Sequence, residues 1–346
     1  MAAQKTYWHL LDGRKVPSEY EIVTSKLLYY TERGFEVNVP ASEWYSRYQK
    51  SSPLACTSWE RFSDPRRTTY TEYMKRQEAK ETFVSGLLER SGEPRYGERL
   101  PRPWLAILER FLPPLRYPCH GLQMIASYIG AMAPDSRITI TALFQAADEL
   151  RRVQRLAYRM RQIQLVRPGF GERAKAFWQE DPLWQPLREA IEKLLVTFDF
   201  GEAFVALNLV LKPLLDTLLM VHVGDLARRH GDYLLAEIFS SLDEDCRWQR
   251  EWSLALVEIA LTNRAENKAV IEGWITKWRP LASRAAAGFR PLFEEMADPS
   301  ARRPFAELEG ELDAFYRGFC ASAGLECPSG AGATSSSIPA SPPHLD

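Results

Sequence analysis

Two stretches of about thirty residues, 136–165 and 232–262, contain neither proline nor glycine, and they constrain this chain more than any other feature. In the first, Ile140, Leu143, Phe144, Ala147 and Leu150 recur every three or four positions, the period of an amphipathic helix. The second carries the same kind of pattern. An unbroken helix of that length runs about 45 Å. It can bury its apolar stripe only by lying along other helices of similar length. The remaining chain supplies them: 198–222 with Pro213 as a kink, 119–133 closed by Pro134, and shorter helices at 69–89, 186–197, 268–278, 281–295 and 304–320. No alternating run is bounded by hairpin turn residues. The expected fold class is all-α.

Three parts follow. Residues 1–67 read as an extended arm dense in aromatic rings: Tyr7, Trp8, Tyr20, Tyr29, Tyr30, Phe35, Trp44, Tyr45, Tyr48 and Trp59, interrupted by prolines at 17, 40 and 53. Rings this large must be covered, either by the chain's own core or by a partner subunit. Tyr7, Trp8, Tyr20, Tyr29, Tyr30, Trp44 and Tyr45 are therefore candidate interface residues. Residues 68–325 form the helical domain. Residues 326–346, rich in Pro, Ser and Gly with little to bury, are expected to be disordered.

Lys plus Arg is 44 and Asp plus Glu is 45, for a net charge of −1, which removes the electrostatic reason to expect nucleic acid or an anionic membrane as partner. The most apolar window, 204–223, holds Asn208, Lys212, Pro213, Asp216 and His222, and so reads as a core helix rather than a membrane span. The first twenty residues contain no apolar signal region, and five cysteines without a CxxC pair fit thiols in a reducing cytoplasm.

Long helices in such a chain raise the question of a carboxylate-bridged di-iron site. That site needs a Glu from each of two helices and a Glu-x-x-His pair from each of two others, the i, i+3 spacing aiming both ligands at one metal pair. The five histidines are His9, His120, His222, His230 and His344, and the residues three before them are Thr6, Tyr117, Leu219, Ala227 and Ser341. None is acidic. Near misses stand where the motif belongs: Glu149-x-x-Arg152 on one long helix and Glu244-x-x-Arg247 on another. Segment 119–133 has no carboxylate, and 204–223 has only Asp216. No catalytic, cofactor-binding or metal-ligating residue is expected. The pattern is that of a metal bundle whose metal has been removed.

Other chemistry is thin. Gly169-Phe-Gly-Glu-Arg-Ala174 fits a relaxed dinucleotide fingerprint, but it follows a helix rather than the strand such a turn requires, and reads as a helix-ending loop. Cys119 and His120 are adjacent and point about 100° apart on a helix, a poor arrangement for sharing a proton. Arg151, Arg152, Arg155, Arg159 and Arg161 form either a solvated face or, at Arg152, a buried cation that must pair with Glu149 or another carboxylate. Trp274 and Trp278 share a helix face, as core or as contact.

Three blocks carry a resemblance: PSEYEIVTSKLLYY at 17–30, DFGEAFVALNLVLKP at 199–213 and AVIEGWITKWRPLA at 269–282. They closely resemble the β (small) hydroxylase subunit of bacterial multicomponent monooxygenases, of the toluene, phenol, alkene and isoprene oxidising type. The likeness runs from about residue 7 to about 295. It implies a ferritin-like bundle lacking metal ligands, in a dimer of αβγ protomers. In that family the α subunit binds the di-iron centre, electrons from NADH arrive through a reductase and a Rieske ferredoxin, and an effector protein docks on α. The partners implied are α, γ and a second protomer, with β as scaffold. A stand-alone helical binding or regulatory protein derived from such a bundle is the alternative.

Overall fold

The computed structural model describes residues 18–20, 43–91 and 95–327, and all regular structure among them is helical. Ten helices carry the fold: α1 Tyr70–Arg90, α2 Arg102–Phe111, α3 Arg116–Met132, α4 Ser136–Val166, α5 Ala174–Glu180, α6 Gln185–Leu195, α7 Phe200–Arg229, α8 Tyr233–Asn263, α9 Asn267–Ala287 and α10 Phe305–Ser322. Four long helices start on a side-chain cap, which satisfies a backbone N–H that has no partner within the helix. Thr69 caps α1, Asp135 α4, Asp199 α7 and Asp232 α8.

The central bundle consists of two helical hairpins. Helices α3 and α4, joined by three residues, make the most extensive pairing in the molecule, and α7 and α8 are joined by His230–Asp232 in the same way. The connection through α5 and α6 crosses from one hairpin to the other, the up-down arrangement with one long crossover of ferritin-like folds. Helix α9 covers α6 and the first half of α7, α10 covers its second half, and α1 lies along α8.

On α4 the buried stripe is Ile138, Ala142, Gln145, Glu149, Arg152, Leu156, Arg159 and Ile163; on α8 it is Leu235, Phe239, Leu242, Cys246, Gln249, Ser253, Leu256 and Ala260. Both repeat in steps of four and three, the spacing that keeps one seam against neighbouring helices.

Two helices differ from expectation. Residues 198–222 were expected to kink at Pro213 and end before Gly224, but α7 runs on to Arg229. It takes up the missing proline donor by widening to i→i+5 hydrogen bonding over Val205–Leu211 just before Pro213, and again over Thr217–His222. Its apolar window is 89% buried, so it is a core helix. Pro280 does not divide 268–278 from a second helix either. It lies inside α9, whose packing against α6 and α7 outweighs one lost hydrogen bond.

The described part of the arm wraps its own bundle. The turn around Ser46–Lys50 docks on the end of α3: Tyr45 donates to the Ala131 carbonyl at 3.0 Å and Gln49 to the Met132 carbonyl at 2.9 Å. Trp44 donates to the Tyr128 hydroxyl at 3.1 Å and packs edge-on against Phe198. Tyr20, expected at an interface, is instead buried; it accepts from the Asp64 N–H, and burial pushes its pKa up to about 12. Tyr7, Trp8, Tyr29 and Tyr30 lie outside the described residues, as does the tail beyond 327.

The cysteines also depart from the all-thiol expectation. The turn after α10, with Gly324 at φ +69°, folds the chain back so that Cys327 forms a disulfide with Cys320 across 6.2 Å between Cα atoms. Cys56, Cys119 and Cys246 are free.

Gly201 shows how tightly the arm is seated. A Cβ there would stand 2.6 Å from the Leu54 Cβ, 2.8 Å from the Ser52 hydroxyl and 2.9 Å from the Trp274 ring. Gly201→Val is expected to cost about 1–3 kcal/mol by forcing the arm off α7. Gly273→Ala, where nothing lies within 4 Å, should be neutral or stabilise by up to about 1 kcal/mol. Urea denaturation midpoints check the pair; equal midpoints would mean the arm is not held at Gly201.

Candidate functional site

The bundle interior is polar where a purely structural core would be apolar. One layer is an amide network. Gln145 and Asn208 exchange hydrogen bonds of 3.1 and 2.9 Å, and Asn208 donates to the Ser253 hydroxyl at 2.9 Å.

The next layer is ionic and draws on all four core helices. From α4, Arg152 reaches inward, 3.2 Å from the Glu149 Oε2 on its own helix and 3.0 Å from the Asp216 Oδ1 of α7. Lys212 of α7 pairs with Glu149 and stands 3.0 Å from the Asp216 Oδ2. The second arm of the Arg152 guanidinium contacts the Cys246 Sγ of α8 at 2.8 Å, and buried Cys119 of α3 closes the fourth side. Glu149, Arg152, Lys212 and Asp216 are each at least 97% buried. Two carboxylates face two cations, so the layer is neutral as a whole.

That neutrality sets the protonation states. Burial pushes the Asp216 carboxyl up, but Lys212 and Arg152 outweigh it and hold it at about 2. Burial pulls Lys212 down, and Asp216 with Glu149 more than reverses this. Arg152 is held far above its ordinary value in the same way. Burial drives the Cys246 thiol well up and the Cys119 thiol to about 12, so both stay protonated and unreactive.

These residues do not fit a di-iron centre. Both carboxylates are taken by fixed cations, no imidazole enters the layer, and among the described residues no group of three or more His, Cys, Asp or Glu is placed to hold a metal. Glu244 and Arg247 fare differently from Glu149 and Arg152. Both lie on the solvent face of α8, Arg247 reaching back to Asp243 at 2.8 Å. The inward register on α8 is one residue earlier, at Asp243 and Cys246. The spacing of Leu242, Cys246 and Gln249 carries that signal, which a search for Glu-x-x-His patterns passes over.

The other arginines divide between solvent and core. Arg151 is buried, 2.7 Å from both Glu81 and Asp245 and 2.9 Å from the Ser241 hydroxyl; Arg155 also pairs with Glu81. Lys80 completes the cluster on Asp245. Beside it, burial and the neighbouring Asp245 hold the Asp148 carboxyl well above its ordinary value, and Tyr73, Gln77 and Gln249 donate to it. Arg159 is buried 3.6 Å from Asp232, which also accepts from Trp104 at 3.0 Å. Arg161 is exposed.

Other sequence candidates sit apart from this layer. His230 stacks on Trp104, His222 faces Glu311 at 3.7 Å, and His120 is exposed. Gly169 and Gly171, at φ +89° and +86°, form the turn after α4 without any strand. Trp278 is core and donates to Glu202, while Trp274 abuts Gly201.

Residues 44–264 match the family model for methane/phenol/alkene hydroxylases. The chain belongs to that family. It is 40% identical over 292 residues to the hydroxylase component subunit beta of the toluene-4-monooxygenase system of Ectopseudomonas mendocina, covering 82% of this chain and 89% of that one. It is 30% identical over 263 residues to phenol 2-monooxygenase oxygenase component DmpL of Pseudomonas sp. strain CF600, covering 73% and 76%. A chain in the structure of toluene 4-monooxygenase with toluene bound in its resting active site superposes with a TM-score of 0.78 at 38% identity, over 83% of this chain and 96% of that one. A chain of phenol hydroxylase from Pseudomonas sp. OX1, at 19% identity, shares the fold with a TM-score of 0.79. This hydroxylase-family chain is thus a β-type subunit of a toluene/phenol-type monooxygenase hydroxylase complex, and no metal site is found among its described residues.

Removing one member of the charge layer strands the others. Arg152→Met is expected to destabilise the chain by about 3–5 kcal/mol, because two buried carboxylates then face one cation. Arg247→Met, on the solvent face, should change stability by less than about 0.5 kcal/mol. Chemical denaturation decides between them. The acid limb provides a second check. Asp216 has a folded pKa below its unfolded value of about 4, so its contribution is complete above pH 4 and lost as pH falls through about 2, roughly 2 kcal/mol in all. In Asp216→Asn that part of the acid transition should flatten.

Proposed function

We propose that this chain is the structural, non-catalytic β subunit of a cytoplasmic hydroxylase that uses NADH-derived electrons and dioxygen to hydroxylate or epoxidise an aromatic or alkene hydrocarbon. It scaffolds a di-iron α subunit within an (αβγ)2 assembly. The reductase, Rieske ferredoxin and effector protein act on the complex rather than on this chain.

One observation carries the proposal. The centre of the bundle, where a di-iron protein of this fold collects its ligands, is filled by Glu149, Arg152, Lys212 and Asp216 in mutual ion pairing. Arg152 and Lys212 occupy the electrostatic role of a metal: fixed positive charge beside buried carboxylates. Because these cations are covalently part of the chain, the bundle can fold without a metal, and nothing in the layer is free to bind oxygen or pass an electron. The chemistry of the complex then belongs to α.

Mass by light scattering and iron by elemental analysis test this on the full chain, purified alone and after co-expression with the other hydroxylase chains. The expected outcome is an iron-free chain alone and its recovery in a large iron-containing assembly with partners. Stoichiometric iron in the chain alone, or a monomer indifferent to the other chains, would overturn the proposal.

A further inference from the structure

Helix α4 and helix α8 are the two longest in the fold, and each turns a four-three stripe inward. Their backs differ. The back of α8 begins with exposed Tyr233 and continues with Ser240, Glu244, Arg247 and Glu258, the largely charged surface expected of a helix facing water. The back of α4 exposes Leu143, Leu150, Tyr158 and Leu165, at 43%, 49%, 50% and 57%. At 100° per residue these four fall within about 80° of arc, opposite the buried stripe. Half-buried Ile140 and Ala147 extend the same line. Exposed Gln154 and Arg161 fall on the same arc, so the result is a mainly apolar ridge about 33 Å long, with two polar positions in it, on a helix packed on its other side.

Spacing and charge narrow the occupant. The ridge residues are separated by seven, eight and seven positions, so their pattern reads the same in both directions about Gln154. A straight helix with large apolar residues at matching intervals can mesh with it along its whole length. The helix also carries six arginines against two acids, and both acids, Asp148 and Glu149, are buried. The outward surface of this helix therefore shows no carboxylate, while exposed Arg161, among the described residues, donates to Gln164 of its own helix at 2.7 Å. A second copy of this chain would bring the same carboxylate-free face and leave Arg161 unmatched.

We infer that the back of α4 is the docking ridge for another subunit of the hydroxylase, contacted through a long helix that is apolar along most of its facing line and carries a carboxylate within that line to receive Arg161. This inference rests on the β-subunit reading and names the surface through which that scaffold holds its partner. A strip of about 33 by 10 Å supplies less than half of a typical 800 Å² face, so it forms the centre of a larger contact.

The test uses the co-expressed complex. Leu150→Glu with Tyr158→Glu should reduce recovery of this chain with the other hydroxylase subunits by more than tenfold, while helicity and melting temperature of the chain alone stay near wild type, because both side chains are exposed. Arg161→Glu should weaken assembly several-fold at low salt and make it less salt-sensitive. Leu150→Cys supplies an independent reading: maleimide should label it in the chain alone and not in the assembled complex. Unchanged assembly of the double variant, or labelling of Leu150→Cys in the complex, would overturn the inference while leaving the β-subunit reading intact. So would protection in the chain alone, or loss only of a self-dimer. Failure of the wild-type chain to assemble at all would instead sink the β-subunit reading, and the inference with it.

Discussion

Four charged side chains from two helices meet at the centre of this molecule, shut away from bulk solvent, and the fold depends on their balance. A lone buried carboxylate or guanidinium would cost several kcal/mol. Glu149, Arg152, Lys212 and Asp216 offset that penalty together, and the pairs between the helices form only where α4 lies against α7. Such a layer adds less net stability than its short contacts suggest, since every charge in it has been stripped of solvent. What it does impose is register. A shift of α4 along α7 by one turn would keep the pairs within each helix, Glu149 with Arg152 and Lys212 with Asp216, but break those between the helices, Arg152 with Asp216 and Lys212 with Glu149, whereas an apolar layer would slide at small cost.

The same layer explains how a chain from a family of hydroxylases can keep the architecture of a metal bundle with cations of its own at the centre. Positions that face one another across four helices are the natural place for ligands, and this chain fills them with charge pairs, two thiols and an amide network. The thiols are raised far from reactivity by burial, and the acid groups are occupied. A bundle built this way fills its centre with its own pairs and leaves its outward faces for contact. The contrast between the leucine-lined back of α4 and the charged back of α8 belongs to that outward side.

Much of this could be read from residues alone. The absence of glycine and proline over 136–165 and 232–262 required long helices, and helices of that length required a bundle; their observed limits, Ser136–Val166 and Tyr233–Asn263, lie within one residue of those ranges. The missing Glu-x-x-His pairs are likewise a property of the sequence. Arg152 was legible as a buried cation because i, i+3 spacing places it beside Glu149. Its second partner, Asp216, lies 64 positions away and could not be named from local spacing.

What tertiary structure decided was rotation and contact. A one-residue difference turns a helical side chain by about 100°. That put Cys246 in the core and left Glu244 and Arg247 in water, although pattern alone favoured the latter pair. Proline carries a local cost that packing can exceed, so α7 and α9 continue through Pro213 and Pro280. Tyr20 was ambiguous for the same reason: an aromatic ring needs covering, and only the position of Asp64 shows that this chain covers it itself. Sequence determined which segments are helical and that no Glu-x-x-His pair is present, because both are local properties of residue type and spacing. Which charges neutralise one another, and which helix back exposes its leucines, depended on how distant segments were brought together.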